Sequence, residues 1–164
     1  MSQVANAVIN VRDVPLQAHT HGARFAAETG EVGEALGLSV LGCMLHVVPP
    51  GKVAFPFHRH HARDEMFVVL SGMGEYRIGE RRIRVGAGDC LGAPSGGEAH
   101  QIINTGSEAL RYLGFSNNPP ADVIEYPDSG KIAARAGATG IDFKDHTLFA
   151  RGRLTPAEYW DGEE

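Results

Sequence analysis

Between about residues 38 and 117 short apolar runs alternate with Gly, Pro and Asn, the rhythm of an all-β sandwich or barrel. The runs predict strands near 38–48, 53–58, 65–71, 74–78, 82–85, 90–93, 101–104 and 110–116. Gly79-Glu80, set between Tyr76-Arg77-Ile78 and Arg82-Ile83-Arg84, predicts a hairpin turn, because glycine takes the positive φ that such turns need.

The flanks are less regular. Residues 1–37 show no sustained periodicity beyond a strand-like 7–11 and are expected to wrap the barrel or cover a sheet edge. After Pro120 come Val123-Ile124-Glu125-Tyr126, an irregular stretch, and Thr155-Pro156-Ala157-Glu158. That tetrad predicts a helical turn, with Thr155 as N-cap, Pro156 at the first helical position and Glu158 closing a capping box. With no second core in sight, the expectation is one domain: a wrapping segment over 1–37, a barrel over 38–120 and an extension over 121–164 packed on it.

Composition narrows the function classes. A chain of 164 residues with 43% hydrophobic and 21% charged residues is long enough to enclose a cavity in a stable core. Its net charge of -5 supplies no footprint for a phosphate backbone, so no nucleic-acid partner is expected. Arg81-Arg82-Ile83-Arg84 reads as a solvated strand face. No apolar window reaches bilayer length, and the N-terminus lacks a basic segment followed by an apolar stretch, so no membrane partner is expected and the location expected is the cytoplasm. Cys43 and Cys90 lie in apolar runs and are expected to be buried free thiols.

Candidate chemistry gathers in two segments. His58 and His60, two residues apart on an extended stretch, put both imidazoles on one face, with Arg59 pointing away. A turn through 61–64 lets Glu65 return beside them at the start of the next strand. Further on, Pro94 and Gly96-Gly97 make a turn that ends in His100. Three imidazoles and a carboxylate suit a divalent first-row metal such as Mn, Fe, Co, Ni or Zn. His61 falls on the opposite face and is left out. His19-Thr20-His21 has ligand-like spacing with nothing to complete it, and His146 is expected at the surface. His46 faces either the barrel interior or solvent. Glu98 reads as a solvated loop residue, although an extended loop would carry it toward the metal as a base. One of Tyr76 and Arg77 must face inward.

The two segments resemble the motifs of the cupin superfamily, specifically its type-2 domain: G-x5-H-x-H-x3,4-E-x6-G and G-x5-P-x-G-x2-H-x3-N. His58, His60, Glu65 and Gly72 fit the first, with six residues rather than five after Gly51. Gly88, Pro94, His100 and Asn104 fit the second, with one extra residue in the turn. Insertions of that size move a turn without moving strand-borne ligands. The resemblance implies a double-stranded β-helix, or jelly-roll barrel, with the ligands inside one end, and a homodimer. The flanks from Val123 to Lys131 and from Tyr159 to Gly162 resemble a small group of bacterial cupins described as sugar-phosphate isomerases.

The expected function is that of a small metalloenzyme acting on a polar, oxygen-rich small molecule, such as a sugar-phosphate isomerase. A metal would polarise a carbonyl or hydroxyl while a base moves the proton. The alternatives are a metal-dependent dioxygenase or decarboxylase, and a non-catalytic small-molecule binding module. For a phosphate group, Lys52, Arg77 and Arg82 are generic anion contacts and no glycine-rich cradle is present. No catalytic residue is assigned.

Overall fold

Strand alternation decides which side chains enter the interior and which stay in water. The computed structural model describes residues 7–137 and 147–163. In chain order its strands are β1 (Gln17–His21), β2 (Phe25–Glu31), β3 (Gly42–Val48), β4 (Arg59–His60), β5 (Glu65–Ser71), β6 (Met73–Ile78), β7 (Arg81–Gly86), β8 (Cys90–Ala93), β9 (His100–Ile103), β10 (Leu110–Ser116), β11 (Ala121–Tyr126), β12 (Lys131–Ala136) and β13 (Leu148–Gly152). A single helical turn, α1 (Val32–Ala35), precedes β3. The fold is therefore all-β, as expected.

One sheet runs β1-β2-β3-β10-β5-β8. Opposite it lie β7-β6-β9 and β13-β12-β11-β4. Residues 52–60 lace these two groups together: His58 and His100 exchange backbone hydrogen bonds of 3.1 and 2.7 Å, and the Asn104 amide donates to the Lys52 carbonyl at 3.0 Å. Val53 also bridges to Phe25 at the head of β2. The inward faces of Val48, Phe67, Val69, Tyr76, Leu91, Ile102, Leu110 and Tyr112 fill the space between the sheets. β3 is buried on both faces, since Cys43, Leu45 and Val47 pack under α1 with Val14 and Val32. Full burial of such side chains stabilises the fold by roughly 1.5–3 kcal/mol each.

Several expectations change. Residues 7–11 form no strand, and Val8 is exposed. The long first strand starts at Gly42 instead of 38, because the chain first makes α1 and leaves Val40 in solvent. Residues 53–58 make strand-like bridges at Val53 and His58, but Phe55-Pro56 interrupts them. The terminal turn at 155–158 is not helical: the Glu158 amide that a cap would satisfy donates to the Asp161 carboxylate. Cys43 is buried as expected, but Cys90 is exposed, because Leu91 and Ala93 take the inward face of β8. The wrapping segment contributes β1 and β2 as full strands of the larger sheet. No helix among the described residues is long and apolar enough to cross a membrane.

Candidate functional site

Glu65, Phe67 and Val69 share the inward face of β5, and His100 shares the inward face of β9 with Ile102. This places a carboxylate and an imidazole opposite each other near one end of the barrel. His58 arrives from the lacing segment, and one ligand atom from each of His58, Glu65 and His100 lies within 4.8 Å of the others. Glu65 Oε2 is 3.1 Å from His100 Nε2, 3.4 Å from His60 Nε2 and 3.8 Å from His58 Nε2. His60 thus reaches the same carboxylate while standing outside the tight group of three.

The surroundings fix which nitrogen each ring presents. His58 Nδ1 donates to the Pro56 carbonyl at 2.8 Å, leaving the Nε2 lone pair directed inward. His60 Nδ1 donates to Asp122 Oδ2 at 2.5 Å, with the same effect on its Nε2. His100 Nε2 and Glu65 Oε2 approach to 3.1 Å without the alignment of a hydrogen bond, so these two atoms and His100 Nδ1 are all buried with no hydrogen-bond partner. Buried polar atoms without partners are costly, and a cation held among them would satisfy Glu65 and one nitrogen of His100 together.

The electrostatics agree with that reading. Burial by itself would raise the Glu65 carboxyl, but the His100, His60 and His58 imidazoles outweigh it and hold the group down at about 2. Burial, helped by the neighbouring His100, lowers His58 to about 4. At neutral pH the cluster therefore offers an ionised carboxylate and a neutral His58, the protonation states that metal ligation requires.

A small cavity beside the cluster is lined by Phe55, Pro56, His58, Phe67, His100, Gln101, Ile102 and Tyr112. Gln101 holds its wall together, donating to the Phe55 carbonyl and accepting from Arg24 Nη2 at 3.0 Å. His46 faces the interior, stacked on Tyr112 with ring centroids 4.5 Å apart, and burial lowers it to about 4.

The remaining candidates lie elsewhere. His61 is on the opposite face, paired with Glu125 at 2.7 Å. His19 stacks on Phe55 at the outer edge. Glu98 is exposed and paired with Arg81. Tyr76 is the inward member of its pair and donates to the Gly92 carbonyl, while Arg77 packs over Phe57 and bonds Asp128. Lys52 donates to the Ala23 carbonyl and Arg82 to Glu75, so Lys52, Arg77 and Arg82 are all engaged away from the cavity. His146 lies outside the described residues.

Sequence reasoning missed Asp122, Arg63 and Arg135. Asp122 is buried on β11, where it accepts from His60 and from the Ala62 amide. Its signal was an aspartate on the same strand face as Ile124. For Arg135 the signal was a lone charge within Ile132-Ala133-Ala134-Arg135-Ala136.

The fold is a jelly-roll barrel with histidines and a glutamate inside one end, and residues 44–115 match the model of the cupin domain family. The chain is similar to auxin-binding protein 1 of Arabidopsis thaliana, 29% identical over 94% of this chain and 72% of that protein. Its fold is similar to a crystal structure of a cupin-superfamily sugar phosphate isomerase from Silicibacter pomeroyi, 21% identical, covering 93% of this chain and 97% of that one at a TM-score of 0.75. A protein from Acidithiobacillus ferrooxidans, provisionally described as a sugar phosphate isomerase, is 24% identical over 92% of this chain and 97% of its own, also at 0.75.

Proposed function

We propose that His58, His60, Glu65 and His100 hold a divalent first-row metal, and that the protein is a metal-dependent enzyme acting on a polar small molecule, with sugar-phosphate isomerisation as the leading reaction. The observation that carries the metal is the convergence of His58, Glu65 and His100 around buried, unpartnered acceptors. Three imidazoles and a carboxylate suit Mn, Fe, Co, Ni or Zn. A bound ion of this kind supplies Lewis-acid polarisation of a substrate carbonyl or hydroxyl. The chain's own residues do the rest: Pro56 and Asp122 orient two of the imidazoles, the imidazoles keep Glu65 ionised, and Phe55, Phe67 and Tyr112 give the adjoining cavity an apolar wall. The isomerase reading draws its support from the structural relatives so described.

A second reading, a non-catalytic binding module, is favoured by the wall of the cavity. Apart from the proposed ligands, the residues lining it carry no carboxylate and no imidazole, and Phe55, Phe67 and Tyr112 contribute aromatic rings. The similarity to an auxin-binding protein points the same way.

Metal content of protein purified without chelator or nickel resin, measured beside turnover of aldose and ketose phosphates, separates the two. The enzyme reading expects about one metal per chain and turnover, both lost in His58→Ala. Stoichiometric metal without turnover selects the binding module. Metal-free protein whose metal affinity is the same in His58→Ala overturns the site. Iron with substrate-dependent oxygen uptake moves the reaction to the dioxygenase class.

A further inference from the structure

Two arginines near His60 have hydrogen-bonding capacity that the fold leaves unused. Arg135 lies on β12 directly across the ladder from Asp122 and is only 6% exposed. Its Nη2 is 3.9 Å from Asp122 Oδ2, beyond hydrogen-bond reach, and neither its Nε nor its Nη2 has a partner. Asp122 cannot supply one, because its two oxygens already accept from His60 and Ala62. Arg63, in the turn between β4 and β5, is partly buried and its Nε is likewise buried without a partner.

Both arginines belong to the surroundings of Asp122: the Ala62 amide, next to Arg63, donates to its Oδ1 at 3.0 Å, and Arg135 Nη2 lies 3.9 Å from its Oδ2. Asp122 offsets charge here without hydrogen-bonding the orphaned Arg63 and Arg135 nitrogens, and buried donors left without acceptors are costly, a cost that an anion between them removes. The guanidinium fork matches the oxygens of a phosphate or carboxylate, and Arg is the residue suited to such partly buried pairing. The other cations considered for this role, Lys52, Arg77 and Arg82, already have partners.

The geometry points to an oxyanion site formed by Arg63 and Arg135 beside His60, which takes the phosphate or carboxylate group of a small molecule whose other end lies at His58, Glu65 and His100. Only that second clause rests on the proposed function. Asp122 then orients His60 with one oxygen while its charge stands 3.9 Å from Arg135.

The test titrates inorganic phosphate and, separately, malonate into metal-loaded and metal-stripped protein by calorimetry, with metal content measured on each sample. Saturable binding of one or both is expected, weakened about tenfold or more in Arg63→Gln and in Arg135→Lys, which keeps charge but loses the fork, with metal content unchanged. Phosphate binding identifies a phosphorylated ligand, and malonate binding alone identifies a carboxylic acid. Binding of neither anion, or binding that both variants leave intact, overturns the site. Should Arg135→Lys fail to fold, Arg63→Gln alone decides, since Arg63 lies in a turn. Arginine-dependent anion binding in protein that takes up no metal would keep this site and sink the metal reading. Metal uptake without anion binding would do the reverse.

Discussion

Asp122 is the residue on which the geometry of His60 depends. Burial would push its carboxyl up, but the His60 hydrogen bond, the Ala62 amide and Arg135 hold it below the usual carboxylate range. Asp122→Asn keeps the shape and removes the charge that fixes the tautomer of His60. Metal affinity is expected to fall roughly 10–100-fold, measured by competition with a chromogenic chelator. His46 governs an acid limb of stability. Its folded value of about 4 lies below the ordinary 6.5, so the unfolded chain takes up the proton first. The stabilisation is complete above pH 6.5 and drains away as pH falls toward 4, by roughly 3 kcal/mol. In metal-free protein, His46→Gln is expected to flatten the dependence of Tm on pH across that window.

At the scale of elements, β5, β8 and β10 lie where their apolar runs predict, because each buries alternate side chains between the sheets. β1, β2, β12 and β13 were not legible. Gln-Ala-His-Thr-His and Phe-Ala-Ala-Glu-Thr-Gly-Glu carry little apolar contrast, so neighbouring strands rather than their own pattern make them strands. The candidate ligands were legible because their spacing follows strand period. Asp122, Arg63 and Arg135 were not, because a buried charge on a strand, or one tucked into a turn, looks like a surface one until its surroundings are known. The closing residue of the second motif proves structural. Asn104, 1% exposed, donates to the carbonyls of Val48 and Glu108 and accepts from the Gly106 amide. Asn104→Ala orphans those groups and is expected to cost about 2–4 kcal/mol in chemical denaturation. The first motif closes on Gly72, at φ +85° with its Cβ position 2.6 Å from the Ala109 carbonyl oxygen, so Gly72→Ala is expected to lower Tm by several degrees.

At the scale of the whole molecule, the candidate ligands all lie between residues 58 and 100, yet β4, which carries His60, pairs with β11 rather than with another strand of the 44–115 match. The His61 amide donates to the Val123 carbonyl, and Asp122 reaches back to His60 from the same strand. Occupancy of the site and docking of the C-terminal hairpin therefore share a free energy. Whatever holds His60 in place slows the local opening of β11, and whatever loosens β11 weakens the site by the same factor. The amides of residues 121–126 then become a meter of occupancy. Their exchange with deuterium should slow when metal is added, while amides of β7, at the edge of the β7-β6-β9 sheet, keep their rates, so the C-terminal strands would act as an outward reporter of what the barrel contains.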